Sequence, residues 1–309
     1  MADLISYGLC PCCASTAIYP ALSAKDHTVS GEIFEIWHCD DCTVRFTQRV
    51  PKASAIGPYY QSVNYVSHSD TQKGLINRLY HMVRNRTLNS KRKLVQEVTR
   101  KETGNLLDVG AGTGAFANTM QQAGWKVTAL EPDDIARENA SNKYGLQLQS
   151  PENLFTLEAS QFDAITMWHV LEHVHDLHAY LTQFEVILKP GGRLIIAVPN
   201  YTSYDAKAYK AFWAAYDVPR HLYHFSPKSM ELLGNRKGFT LIDTKPMWFD
   251  SFYVSMLSEQ YKNGSGNLIG ALWNGMISNL KALGDKKKCS SVIYIFSKCI
   301  YHSQWQPKK

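Results

Sequence analysis

The chain has 309 residues, 45% apolar and 19% charged, enough to bury a full α/β core and still carry a second module. Its longest uninterrupted apolar runs, such as Leu194 to Val198, are only a few residues long, which excludes a membrane-spanning helix. A net charge of +6 is mild for this size, and the clusters Lys91-Arg92-Lys93 and Lys286-Lys287-Lys288 read as solvated surface rather than a nucleic-acid patch.

The first residues, MADLISYGLCPCC, lack a basic region followed by an apolar stretch, so no signal peptide is read and a cytoplasmic location is expected. In that compartment seven cysteines point to metal or free thiols rather than disulfides. Four of them form the pairs Cys10-Pro11-Cys12-Cys13 and Cys39-Asp40-Asp41-Cys42, separated by a short β-rich stretch. Each C-x-x-C knuckle wraps one side of a tetrahedral ion, so residues 1–50 read as a zinc ribbon with Cys10, Cys13, Cys39 and Cys42 as ligands. Four thiolates leave no position for water, and the expected zinc is therefore structural. Cys12 has the wrong spacing for the knuckle, His38 is a rival read as a strand residue, and Cys289 and Cys299 are ordinary small hydrophobes.

Residues 51–103 form an aromatic connector followed by a helical stretch. Tyr59, Tyr60 and Tyr65 either cover a bound cofactor or dock the ribbon on the next domain. From residue 104 to 309 the pattern alternates: strands at 105–109, 126–130, 146–149, 162–168 and 192–198, with helices between them. Phe116, Met120 and Ala123 share one helix face, and Gly145 stops the helix that ends near Tyr144. Thr240 to Phe249 and Ser291 to Ser297 supply strands six and seven. The expected fold is a Rossmann-like, seven-stranded, mostly parallel sheet flanked by helices, with insertions at about 201–225 and 250–288. An apolar helix at about 268–283 in the second insertion either covers the substrate pocket or pairs two subunits as a homodimer.

The first strand runs into Gly110-Ala111-Gly112-Thr113-Gly114, where glycines let the backbone turn into a helix and bring N–H groups against a ligand. Glu131, at the tip of the next strand, can accept both hydroxyls of a ribose. Gly110, Gly112 and Ala115 also satisfy a dinucleotide fingerprint, so the loop alone leaves the nucleoside open. LLDVGAGTG resembles motif I of class I S-adenosylmethionine-dependent methyltransferases, and the resemblance continues in order through ALEPDD, FDAITMWHVLEH and LKPGGRLIIAVPN. It covers roughly residues 100 to 245. It implies S-adenosyl-L-methionine as cofactor, with Asp108, Gly110, Ala111, Gly112 and Gly114 around the methionyl part, Glu131 on the ribose, and Pro132 and Asp133 on the adenine side. The segment Glu152-Asn153-Leu154 is a looser adenine match.

His169-Val-Leu-Glu172-His173 also fits the H-x-x-E-H pattern of zinc metalloproteases, with Glu185 or Glu231 as a third ligand. That chemistry needs both histidines on one rigid helix face. Here the stretch follows a strand and precedes a helix whose N-cap is read at Asp176, so it falls in a turn, where open α/β sheets bind ligands. Trp168, His169, Glu172 and His173 then wall the cofactor from the substrate, while His175 and His178 read as solvated. His173 is a candidate proton acceptor or a packing histidine. His221, in the stretch Asp217 to Ser226, is the second candidate, because P-R-H-L-x-H-F-S resembles the small-molecule branch of the family; Arg220, Tyr223 and His224 rank below it.

The reading is methyl transfer to a small-molecule intermediate, O-directed with a His base. A zinc ribbon ahead of such a domain also resembles rRNA guanine methyltransferases, which makes RNA modification the alternative, though no basic stripe supports it. A nicotinamide-dependent oxidoreductase and a non-catalytic scaffold are the remaining readings.

Overall fold

The computed structural model describes residues 3–61, 75–264 and 266–299, with the side chains of 75–85 left aside. In the N-terminal segment β1 (Leu4–Ile5), β2 (Ile18–Lys25), β3 (Ile33–Cys39), β4 (Arg45–Thr47) and β5 (Val50–Pro51) follow one another. The two outer strands, β1 and β5, pair with each other, and β2, β3 and β4 form an antiparallel meander. After α1 (Leu75–Thr99) the chain alternates: β6 (Asn105–Val109), α2 (Ala115–Gln122), β7 (Lys126–Leu130), α3 (Asp134–Tyr144), β8 (Phe162–Trp168), α4 (Leu177–Ile187) and β9 (Leu188–Pro199). The remainder comprises α5 (Tyr204–Tyr209), β10 (Tyr223–His224), α6 (Pro227–Arg236), β11 (Phe239–Pro246), α7 (Asp250–Asn263), α8 (Leu268–Gly284) and β12 (Ser291–Lys298).

The main sheet has the order β11-β12-β9-β8-β6-β7. Strands β7, β6, β8 and β9 are mutually parallel, and β12 is antiparallel to both its neighbours. This is the mostly parallel α/β sheet expected from the alternation. The expected strand at 146–149 is reduced to one parallel bridge, Leu130 to Gln149. Its cause is local: Gly145 turns at φ 68°, and Pro151, which has no N–H to give a ladder, opens a 3-10 turn two residues after the bridge. The second insertion holds two helices, α7 and α8, where the sequence showed one.

The first insertion does not stay within its own domain. Its strand β10 pairs antiparallel with β4, so the N-terminal sheet reads β10-β4-β3-β2. One apolar core accordingly runs from Cys39, Val44 and Phe46 through Leu222 and Phe225 to Ile165, Leu194 and Tyr294. Burial of this kind contributes about 25 cal/mol per Å² of apolar surface, and here it joins the ribbon to the main sheet.

Candidate functional site

The first part of the site is the strand-to-helix loop after β6. Gly110, Gly112 and Gly114 lie at φ 70°, 54° and 76°, a region that disfavours residues with a Cβ. A Cβ on Gly110 would sit 2.3 Å from Val170 Cγ2, whereas one on Gly112 would meet nothing within 4 Å, so the Cα face of Gly112 borders open space. Leu130 O accepts from the amides of Gly110 and Ala111 at 2.8 and 2.9 Å. Glu131 is buried, and its two carboxylate oxygens accept from Gly112 N–H at 2.7 Å and Asp133 N–H at 3.1 Å. Pro132 O accepts from Arg137 at 3.0 Å, and Asp133 caps α3 by accepting from Ala136 N–H at 2.8 Å. Below the loop Asp108 is buried and accepts the Thr166 hydroxyl at 2.7 Å; burial pushes its carboxyl up to about 7. Lys91 of α1 stands 4.3 Å over the Trp168 ring, and desolvation lowers its ammonium to about 8. The Trp168 Nε1 is buried with no partner among the described residues. In the segment Glu152-Asn153-Leu154 only Leu154 is buried. An open-faced glycine cradle beside a buried carboxylate at the next strand tip fits a nucleoside ligand.

The second part is the turn after β8, which holds HVLEH. Residue His169 sits at φ 60°, Leu171–His173 make one 3-10 turn, and α4 starts only at Leu177. The two histidines therefore share no helix face, as the strand-to-helix reading requires. The Asp250 carboxylate lies 2.8 Å from His169 Nε2, and Glu172 lies 3.4 Å from its Nδ1. Burial works against the charged imidazole, but Asp250 and Glu172 outweigh it and raise His169 to about 10. His173 goes the other way: burial and, after it, the neighbouring His221 lower it to about 4. The rings of His173 and His221 meet edge to face, with centroids 4.6 Å apart. His173 Nδ1 lies 3.0 Å from Arg220 O, and His221 Nδ1 lies 2.9 Å from Ala215 O. A carbonyl only accepts, so in the neutral rings both Nδ1 atoms donate and both Nε2 atoms keep a basic lone pair. Glu172 is fully buried, and neither carboxylate oxygen has a hydrogen-bond partner among the described residues. Its carboxyl still stays below the usual range: burial favours the neutral acid, but the charged His169 beside it holds it ionised.

Both candidate bases are held from a distance. Thr47 of β4 donates its hydroxyl to His221 O at 2.7 Å and stands 3.1 Å from His224 Nε2. Burial lowers His224 well below the ordinary histidine range, so it serves as a neutral strut. Arg220 is completely buried; its guanidinium pairs with Asp26 at 3.0 Å and Asp217 at 2.6 Å, and donates to Tyr59 O at 2.8 Å. Tyr60 Oη lies 3.0 Å from His173 Nδ1, while the Tyr59 hydroxyl donates to Glu32 at 2.9 Å. Tyr60 thus reaches the histidine pair and Tyr59 docks on the N-terminal sheet; Tyr65 lies outside the described residues. Two smaller expectations change. His175 and His178 are not merely solvated, because each ring reaches a carbonyl of the N-terminal segment, Pro51 O and Pro11 O, both at 3.0 Å. Asp176 occupies the N-cap position of α4, but its side chain makes no capping bond.

In the ribbon, the Sγ atoms of Cys10, Cys13, Cys39 and Cys42 all lie within 4.8 Å of one another, and all four thiols are free. Cys10 and Cys42 are 3.5 Å apart, as are Cys13 and Cys39. Tetrahedral zinc with bonds of about 2.3 Å needs sulfurs roughly 3.8 Å apart, so this set fits one ion. Cys12 is buried outside the set, and His38 is a β3 residue outside it too.

Asp26, Thr47, Lys91 and Asp250 were not legible as site residues. Thr47 lies 174 positions from His221 and Asp26 lies 194 from Arg220, so no local spacing marks them.

Comparisons agree with the fold. A family described as a methyltransferase domain matches residues 81–244. The ubiquinone biosynthesis O-methyltransferase of Xanthomonas axonopodis pv. citri is 31% identical over 159 residues, 47% of this chain and 66% of that protein. The protein of the same name from Xanthomonas oryzae pv. oryzae is 33% identical over 132 residues, 39% of this chain and 54% of that one. The chain thus spans a little over half to about two thirds of the length of these curated relatives. Magnesium protoporphyrin IX methyltransferase from Synechocystis PCC 6803 superposes with a TM-score of 0.50 at 14% identity, covering 78% of this chain and 96% of that one. With the methyltransferase-domain match extending over more than half of its length, the chain belongs to that family.

Proposed function

We propose that the protein transfers a methyl group from S-adenosyl-L-methionine to a hydroxyl of a compact organic molecule, with the His173–His221 pair as proton acceptor. The observation that carries the reading is the pair itself. Two rings with centroids 4.6 Å apart have their Nδ1 atoms on backbone carbonyls, and His173 lies in the turn after β8 whose Val170 packs on Gly110 of the glycine cradle. Bound at Gly110–Gly114 and Glu131, the cofactor would supply an activated methyl group on a sulfonium. The protein's own work is then to place the acceptor oxygen, exclude water and take one proton. With His173 at about 4, that ring is neutral near pH 7 and has a free Nε2 for the acceptor's proton. The buried, ionised Glu172 beside the pair stabilises the imidazolium that forms. Relatives named for O-methylation in ubiquinone biosynthesis support a hydroxyl acceptor. In the ribbon the Cys10, Cys13, Cys39, Cys42 set would hold a structural zinc.

The test is label transfer from methyl-labelled cofactor to a panel of phenolic and sugar hydroxyl compounds. His173→Ala and His221→Ala should each lower turnover roughly tenfold or more while leaving S-adenosylhomocysteine affinity nearly intact. Unchanged turnover in both variants removes the histidines as bases.

A further inference from the structure

The outer helix of the second insertion is built the wrong way round for a core helix. On α8 the buried residues are the small ones, Ala271, Gly275, Ser278 and Ala282. The large apolar ones face out: Ile269 is 83% exposed, Leu283 71%, Leu268 64%, and Leu272 and Trp273 59% each. At 3.6 residues per turn these fall on one side of the helix together with Met276 and Leu280. The orientation is pinned from within. A Cβ on Gly275 would sit 2.7 Å from Phe252 Cδ1, so only this face of α8 can meet α7 so closely. Ser278 donates to Asp205 at 2.7 Å, and Asn274 donates to the Tyr209 hydroxyl at 3.0 Å. The exposed side continues onto α7 and its approach through Trp248, Phe249, Tyr253 and Met256.

Charge decides what can cover it. From residue 260 to 288 the sequence holds five lysines (262, 281, 286, 287 and 288) and one acid, Asp285. Lys287 and Lys288 have acids at 3.9 Å, Glu231 and Asp285, and Lys281 lies 5.7 Å from the Tyr204 ring; these three, Lys286 and Lys262 are solvent-exposed. Antiparallel pairing of two copies through α8 would bring Lys286–Lys288 of one toward Lys262 of the other, where the acids at hand, Glu231 and Asp285, already sit beside Lys287 and Lys288. An apolar face with aromatic flanks and a lysine run at one end matches the boundary of an anionic bilayer. Among the described residues no helix is long and apolar enough to cross a membrane, so contact would be lateral.

We propose that the α7–α8 face seats this protein on an anionic membrane surface, with the apolar side of α8 in the headgroup boundary and Lys262 and Lys286–Lys288 toward acidic headgroups. Because Asp250 at the start of α7 contacts His169, docking would bring the membrane close to the site.

Flotation of the full chain with phosphatidylcholine vesicles, with and without phosphatidylglycerol, tests this. Binding should be roughly tenfold or more stronger with the anionic lipid and weaken with salt. Leu272→Glu and Trp273→Glu, at exposed positions, should abolish it while the thermal midpoint stays within about a degree of wild type. Changing Lys286, Lys287 and Lys288 together to Gln should weaken it several-fold. No partition into anionic vesicles overturns the proposal, as does equal flotation of the two Glu variants. So does a dimer in sedimentation that Trp273→Glu dissolves while vesicle binding is unaffected.

Discussion

The cofactor loop and the turn that carries His173 meet through Val170 and Gly110, but the loop and the histidine pair are made differently. The loop is local: strand, glycines and the carboxylate at the next strand tip lie within residues 105–133, and Glu131 closes on Gly112 at 2.7 Å. The histidine pair is an assembly: Tyr60, His173, Arg220 and His221 come from three parts of the chain, and Thr47 and Asp26 of the N-terminal sheet hold them. A local site survives loosening elsewhere, whereas an assembled one depends on every segment that holds it.

Metal removal should separate the two most sharply. As purified, the protein should carry one zinc per chain by elemental analysis; finding none rejects the ribbon assignment. Chelation, or Cys39→Ser, should lower the thermal midpoint by several degrees and turnover roughly tenfold, because a small ribbon draws folding free energy from its ion. The cofactor affinity of the treated protein should stay within about twofold as long as the main sheet stays folded. Parallel loss of both would show that the loop is not local after all.

Glu131→Ala inverts the pattern. Losing a carboxylate that can hold both ribose hydroxyls should weaken S-adenosylhomocysteine binding by about 2 to 3 kcal/mol, roughly a hundredfold by calorimetry. The acceptor-side KM should change little. A weaker acceptor KM with unchanged cofactor affinity would sink the assignment of Glu131.

The smallest effect lies inside HVLEH. His173 is at about 4 in the folded chain against 6.5 when free, so the folded state binds fewer protons in that window. Its contribution to stability is present above 6.5 and lost as pH falls toward about 4. His169 is at about 10, so the folded state binds more protons between 6.5 and 10; its contribution is full below 6.5 and lost as pH rises through about 10. The difference in thermal midpoint between wild type and Asp250→Asn should therefore be largest near pH 6 and shrink toward pH 10. A difference that does not change with pH would deny the charged pair.

The same contrast explains what could be read beforehand. The glycine loop, Glu131, the strand ending at Trp168 and the cysteine pairs each announce themselves over a few residues, because strand period, glycine conformation and tetrahedral coordination act locally. His173 and His221 were visible as residue types, but their meeting was not. Neither was the role of Asp250, which reaches the turn from a helix 81 positions on. The expected strand at 146–149 shrinks to one bridge because its alternation is cut short where Pro151 opens a turn. His178 looked solvated because nothing near it in sequence announces Pro11 O.

The pairing of β4 with β10 also sets an order of events in synthesis. The N-terminal meander and all four cysteines emerge first, but the fourth strand of that sheet starts at Tyr223. Until then the β4 edge has unpaired N–H and C=O groups, a ready template for another chain. A long-range closure of this kind is slow to form and late in the chain's appearance. Early zinc capture would keep the waiting edge folded, making the ion as much a guard during birth as a brace in the finished molecule.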